Sequence, residues 1–169
     1  MITPPSSFTG YLFHGSPKRL GHVAFGEGTN TTPRIQPGRP FFVTAQFPYA
    51  ARFARGGVVS KLAVSLERIL DLSDEDHQQR LLAIFNSDPA ILRTRGAWDE
   101  AFDGDIADSS YFLLESPHVM SLLIEEGFDG AFMREDLELG VYSFAILRGG
   151  CAELVSAQQM TAPTSPLAA

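Results

Sequence analysis

Short runs of apolar and aromatic residues stand toward both ends of this 169-residue chain, and a longer amphipathic stretch lies between them. Brief apolar runs bounded by glycine and proline are typical of strands. Apolar residues spaced three and four apart after a capping residue are typical of helices. Because the predicted strands bracket a helical middle instead of alternating with helices, the pattern predicts the α+β class.

The individual elements follow from the same patterns. We expect strands at 11–14, 41–44, 58–64, 131–133, 141–147 and 152–155. Helices are expected at 47–54, after the capping sequence at 73–76, and at 117–126. Residues 26–40, rich in glycine and proline, are predicted to form a long loop, and loops of that length are commonly functional.

The length of the chain predicts a single domain. We assign residues 1–10 to an irregular N-terminus, 11–157 to the domain and 158–169 to a flexible tail, because both ends are rich in proline and small residues. The sequence shows no internal repeat.

Composition excludes several classes of function. Twenty acidic residues against 13 basic ones give a formal net charge of −7, so the chain has no general attraction to nucleic acid or to anionic membranes. The single cysteine, Cys151, cannot form an internal disulfide, and the four scattered histidines disfavour a metal site. No metal is therefore expected.

The sequence predicts no association with a membrane. No run approaches the roughly 20 apolar residues that a membrane-spanning helix needs. The N-terminus has neither the basic nor the apolar region of a secretory signal. We therefore expect a cytoplasmic protein, or one delivered into the cytoplasm of a target cell.

One arrangement of residues indicates chemistry. His14 ends an aromatic strand and is followed at once by Gly15, while Phe42 and Phe53 come from the next strand and helix. An imidazole can bond a ribose hydroxyl, and a glycine lets a ligand approach the main chain. Two phenyl rings can enclose a planar ring. The alternative is that both phenylalanines are core residues.

Three ordered segments resemble motifs of a known family. Residues 11–16, followed by 42–45 and 49–54, look like the first two motifs of the ADP-ribosyltransferase fold, of the diphtheria-toxin and poly(ADP-ribose) polymerase type. Residues 127–133 and 140–146 are similar to its third region, in which a Gly-Tyr-Asp-Gly turn precedes a strand that normally opens with glutamate. The resemblance covers about residues 11 to 155.

The resemblance implies a split, two-sheet α+β fold that binds NAD in a cleft. In it His14 would hold the adenosine ribose, and Gly15 the nicotinamide amide. Phe42 and Phe53 would stack on the nicotinamide ring. An arginine of the long loop, Arg39 or Arg34, would pair with the pyrophosphate. The implied NAD-binding set is His14, Gly15, Ser16, Arg39, Phe42, Thr44 and Phe53.

The sequence departs from the family pattern at two places. Phenylalanine stands where the family has its two stacking tyrosines. The glutamate position falls on Tyr142, or on Val141 after a shift of one residue, so that strand supplies no acid. Glu138 or Glu135, in the preceding polar segment, could substitute. The catalytic set that the resemblance implies is His14, Phe42, Tyr142 and Glu138.

The resemblance implies a toxin-like mono-ADP-ribosyltransferase, which releases nicotinamide and passes ADP-ribose to a protein, a nucleic acid or a small molecule. The alternative is a binding module of the same fold that recognises NAD or ADP-ribose with weakened catalysis. A third reading, NAD-dependent removal of a 2′-phosphate from RNA, is disfavoured because the chain is acidic and has no basic cluster.

Overall fold

The computed structural model describes residues 3–17, 40–94, 110–136 and 140–161 of the chain. Its strands are β1 (Phe8–Ser16), β2 (Phe41–Thr44), β3 (Val58–Leu66), β4 (Ile69–Asp71), β5 (Gly130–Asp136), β6 (Val141–Ile146) and β7 (Ala152–Gln159). Its helices are α1 (Phe47–Ala54), α2 (Glu75–Ser87), α3 (Pro89–Thr94) and α4 (Pro117–Glu125), with a 3-10 helix at Ser110–Glu115.

The seven strands form one sheet in the order β4-β5-β6-β2-β1-β3-β7. β4 runs parallel to β5, and the other neighbouring pairs are antiparallel. The helices α2, α3 and α4 come from the middle of the chain, between β4 and β5. The predicted α+β class, with a helical middle between strands, is therefore confirmed.

The two-sheet arrangement expected from the resemblance differs from this single sheet, but the sheet is weakly joined at its centre. β1 pairs with β3 at nine positions, whereas it pairs with β2 at one, Phe13 opposite Thr44. β2 has four residues and pairs along its whole length with β6. Because the β1–β2 ladder stops after one pair, the two halves of the sheet separate beside it.

The strands β5 and β6 are buried on both faces. On one face, Met133 and Ala145 join a cluster formed with the apolar side chains of α2, α3, α4 and the 3-10 helix. On the other face, Phe132 and Phe144 pack against residues from the opposite half of the sheet, such as Leu12. Burial on both faces explains why residues 131–133 of β5 and most of β6 are apolar.

Some element boundaries differ from those predicted. β1 begins at Phe8, because residues 8–10 pair with β3, so these three residues belong to a strand and not to the predicted irregular N-terminus. β7 continues to Gln159, two residues into the predicted tail, and the Gln159 amide donates hydrogen bonds to the carbonyls of Gly56 and Gly57. β4, α3 and the 3-10 helix were not predicted, since each is short and has no periodic signal of its own.

Asp88 ties together the starts of two helices. Asp88 is 1 % exposed, and its carboxylate accepts hydrogen bonds from the main-chain nitrogens of Ala90 in α3 and His118 in α4. It also accepts from the hydroxyl of Ser116, which caps α4. Burial opposes ionisation of Asp88, but these hydrogen bonds lower its pKa below the ordinary value.

Two negative observations hold over the residues that the structure describes. No helix there is long and apolar enough to cross a membrane. In the same residues, no group of three or more histidine, cysteine, aspartate or glutamate side chains is placed to hold a metal ion.

Candidate functional site

A cleft of about 440 Å³ opens where the two halves of the sheet separate. Its size lies within the range of about 300 to 1,000 Å³ that is usual for small-molecule sites. Strands β1, β2, β5 and β6, helix α1 and the 3-10 helix all contribute to its walls. The lining residues are Phe13, His14, Gly15, Phe42, Val43, Thr44, Tyr49, Ala50, Phe53, Tyr111, Glu135 and Ser143.

His14 bridges the gap between β1 and β2. Its Nδ1 lies 2.7 Å from the carbonyl oxygen of Phe42, and its ring stacks on Phe41 with centroids 4.3 Å apart. A carbonyl oxygen can only accept, so Nδ1 carries the proton and, in the neutral ring, Nε2 is an acceptor. Burial lowers the pKa of His14, with the bond to Phe42 opposing that effect. The imidazole is therefore mainly neutral at pH 7, and its Nε2 can accept a hydrogen bond.

Gly15 is required by the packing of α1 on β1. A Cβ atom at this position would lie 1.8 Å from the carbonyl oxygen of Ala50 in α1. The glycine thus allows the helix to approach the strand closely, which places one face of α1 along the cleft. Ser16 ends β1 opposite Val58 and does not line the cleft.

Two perpendicular ring pairs form the aromatic walls. From α1 come Tyr49 and Phe53, with centroids 5.2 Å apart and an interplanar angle of 77°. From β2 and the 3-10 helix come Phe42 and Tyr111, 6.3 Å apart at 88°. Phe53 is 53 % exposed although it is a phenylalanine, so its ring is available to a ligand.

Thr44 lies in the wall of the cleft with its hydroxyl already engaged. The hydroxyl donates to the carbonyl oxygen of Tyr142 at 2.9 Å and accepts from the main-chain nitrogen of Gln46. Because Gln46 immediately precedes α1, Thr44 links β2, β6 and the start of that helix. Its contribution to the site is therefore mainly to position the neighbouring elements.

Glu135 brings a carboxylate into the cleft through a β-bulge. Arg134 pairs with Tyr142 and Asp136 with Val141, so Glu135 is an extra residue in the β5–β6 ladder. Bulges of this kind re-aim a side chain. Burial raises the pKa of Glu135, and hydrogen bonds from Ser143 and Tyr49 partly offset the rise. The result is a partly desolvated acid held by two hydroxyl groups.

The structure places Tyr142 away from the cleft, contrary to the expectation that it belongs to the catalytic set. Its ring packs against Phe132 and Phe144 in the cluster on the opposite face of β6. Successive side chains alternate between faces along a strand, so it is Ser143 that faces the cleft. The resemblance thus places the glutamate at position 142, whereas the side chain that lines the cleft belongs to the next residue, Ser143.

The cleft brings together five of the residues singled out from the sequence: His14, Gly15, Phe42, Thr44 and Phe53. Arg34, Arg39 and Glu138 lie outside the described residues. Glu135, one of two alternatives for the missing acid, lines the cleft. Tyr111 and Ser143 were missed: Tyr111 comes from a 3-10 helix without a sequence signal, while the alternation of β6 could have identified Ser143.

No protein-family model and no curated protein sequence matches this chain. Among solved structures, it is similar to one described as the crystal structure of an anti-CRISPR protein. The TM-score is 0.41 at 18% sequence identity, and the match covers 90% of this chain and 100% of that one. A similarity at this level supports no argument about function.

Proposed function

We propose that the cleft binds NAD and that the protein transfers ADP-ribose from it to an acceptor, with release of nicotinamide. The observation that carries the proposal is the meeting of His14, Phe42 and Phe53 in one open cleft. The first and last of these residues are 39 positions apart in the sequence, and the three come from different elements. The space between them is not filled by packed side chains.

The polar groups of the cleft suit a nucleoside. Nε2 of His14 is an acceptor, which matches a ribose hydroxyl as donor. The aromatic rings of Phe42 and Phe53 offer apolar surface to a planar base or pyridine ring. Gly15 leaves main-chain groups of β1 close to the cleft, where a carboxamide could bond them. The resemblance in the order of the motifs supports the same ligand.

The reaction has a simple balance of bonds and charges. The bond between the ribose C1′ and the pyridinium nitrogen breaks, and its electron pair neutralises the departing nicotinamide. A lone pair of the acceptor then forms the new bond to C1′, and the acceptor loses a proton. Positive charge develops on the ribose meanwhile, and a preorganised carboxylate near it stabilises the transition state by a few kcal/mol. Glu135 is the carboxylate that lines the described cleft.

A second candidate is a module that binds NAD without turnover. The observation that favours it is strand β6, which contains no acid and packs Tyr142 against the core on the face opposite the cleft. The phenyl rings at 42 and 53 also lack the hydroxyls of the tyrosines that they replace in the resemblance. In this reading the cleft still binds, but the ribose cation is not stabilised.

The two candidates differ in one measurement. The protein is incubated with NAD labelled in the adenylate part, alone and with a cell lysate, and free nicotinamide and transferred label are quantified. We expect slow nicotinamide release and label transfer, both reduced by Glu135→Gln. Calorimetric binding of NAD without either product would support the binding module instead. If no adenine dinucleotide binds, both candidates are wrong.

A further inference from the structure

The charged and titratable residues that line the cleft indicate what kind of ligand it suits. Among its described lining residues there is one carboxylate, on Glu135, and no lysine or arginine. The remaining titratable groups that face it are the hydroxyls of Tyr49 and Tyr111 and the imidazole of His14. The described wall therefore carries negative charge or none, and five phenylalanine or tyrosine side chains line it.

We infer that the cleft selects its ligand by charge: it is a site for a planar aromatic cation, and Glu135 is the residue that recognises the positive charge. The identity of the ring rests on the proposed function, in which it is nicotinamide. The site then discriminates oxidised from reduced nicotinamide dinucleotides. The pyridinium ring of the oxidised form is cationic, whereas the dihydropyridine ring of the reduced form is neutral.

The aromatic walls supply part of this preference. The face of an aromatic ring is electron-rich and attracts a cation that lies within about 6 Å of its centroid. Tyr49 and Phe53 on α1, and Phe42 and Tyr111 across from β2 and the 3-10 helix, each line the cleft. A neutral ring stacks on the same side chains through dispersion, but it lacks the electrostatic contribution.

The position of Glu135 supplies the rest. Its carboxylate is half-buried, where charges interact more strongly than in water. Burial without a cationic partner is unfavourable for the ionised form, as the raised pKa of Glu135 reflects. A bound cation removes that disadvantage. Hydrogen bonds from Tyr49 and Ser143 hold the carboxylate in the cleft, so it does not have to be ordered when the ligand arrives.

A consequence concerns the products. Loss of the ribosyl group converts the pyridinium into neutral nicotinamide, which no longer matches the carboxylate. The same charge recognition that favours binding of the substrate therefore weakens binding of the released ring. The cleft would therefore bind the cationic ring of the substrate more tightly than the neutral ring of the released product.

The experiment compares cationic and neutral ligands of the same shape. Binding of 1-methylnicotinamide and of nicotinamide, and of NAD and NADH, is measured by calorimetry at pH 8 for the wild type, Glu135→Gln and Glu153→Gln. Glu153 is an exposed acid of β7 outside the cleft, so its variant is the matched control. We expect the wild type and Glu153→Gln to favour the cationic member of each pair by about tenfold.

Glu135→Gln is expected to lose most of that preference while its affinity for nicotinamide changes less than about twofold. An equal affinity of the wild type for 1-methylnicotinamide and nicotinamide would overturn the inference, and this comparison needs no variant. If NAD and NADH bind equally well, the inference fails while the proposed NAD site stands. If 1-methylnicotinamide is preferred but no dinucleotide binds, charge recognition stands and the proposed function fails.

Discussion

Nδ1 of His14 lies 2.7 Å from the carbonyl oxygen of Phe42, and this contact joins the two halves of the sheet at the point where they separate. The same bond sets the tautomer, so Nε2 is left as an acceptor. One side chain thus closes the gap between β1 and β2 and, in the proposed function, offers a hydrogen-bond acceptor to the ligand. A structural role and a proposed binding role are thus combined at this residue.

Replacement of His14 tests this double role. His14→Ala should weaken NAD binding about tenfold, because it removes one hydrogen-bond acceptor and the order it gives to the cleft. His77 is a matched control, since its Nδ1 also lies close to a main-chain oxygen, that of Asp71, but outside the cleft. Calorimetry on both folded variants provides the measurement. Equal affinities for the wild type and both variants would contradict the assignment.

Phe53 provides a test of ring stacking that spares the fold. Because its side chain is 53 % exposed, Phe53→Ala should change the free energy of unfolding by less than about 1 kcal/mol. Loss of the stacking surface should weaken NAD binding about tenfold. Tyr11, 58 % exposed on β1 and away from the cleft, is the control. The prediction fails if Tyr11→Ala weakens binding as much as Phe53→Ala does.

The raised pKa of Glu135 predicts a pH-dependent effect on stability. The folded chain keeps a proton on this acid above its ordinary pKa of 4.5, where the unfolded chain has lost it. The wild type therefore loses stability as the pH rises through the folded-state pKa, and Glu135→Gln does not. Urea unfolding should show that the free energy of unfolding of Glu135→Gln rises relative to that of the wild type between pH 4 and pH 7. A stability difference that is constant with pH would refute the raised pKa, with Glu153→Gln as the reference for an exposed site.

Gly15 should tolerate no side chain. The Cβ atom of Gly15→Ala would collide with the main chain of α1, so we expect a loss of about 3 kcal/mol in the free energy of unfolding. Gly10, also in β1, is the control: its nearest neighbour is the ring of Phe8 at 3.1 Å, which can shift. Chemical denaturation of both variants decides the matter, and similar losses at the two positions would show that α1 does not pack as described.

Asp88 should matter more than an ordinary helix cap. Asp88→Ala leaves hydrogen-bond donors at the starts of two helices without a partner. It should lower the free energy of unfolding by about 3 kcal/mol. Asp74 is an exposed acid that caps α2 alone, and its replacement by alanine should lower the free energy of unfolding by about 1 kcal/mol. Because the pKa of Asp88 is lowered, its contribution should be lost as the pH falls below about 3.8. Unfolding curves at pH 7 and pH 3 measure both effects, and an Asp88 variant no weaker than the Asp74 variant would be the contrary result.

The α+β class and most of the long elements were predictable because they depend on local patterns. The strand β6 and the helices α1 and α4 lie within one residue of their expected bounds. β7 was predicted four residues too short, since its outer part is polar and pairs only with β3. The single sheet was not predictable either, because its continuity depends on one pair between residues distant in sequence, Phe13 and Thr44.

For the candidate site, the sequence by itself determined which chemical groups the chain possesses: an imidazole next to a glycine, two phenylalanines in the following strand and helix, and no acid in the strand where the resemblance places one. Only the tertiary structure decided which of them meet. The β5–β6 register packs Tyr142 against the core on the face opposite the cleft, and a bulge carries Glu135 into the cleft. Register is a property of two paired strands, and a one-residue change reverses the face on which each side chain lies, so no single stretch of sequence contains it.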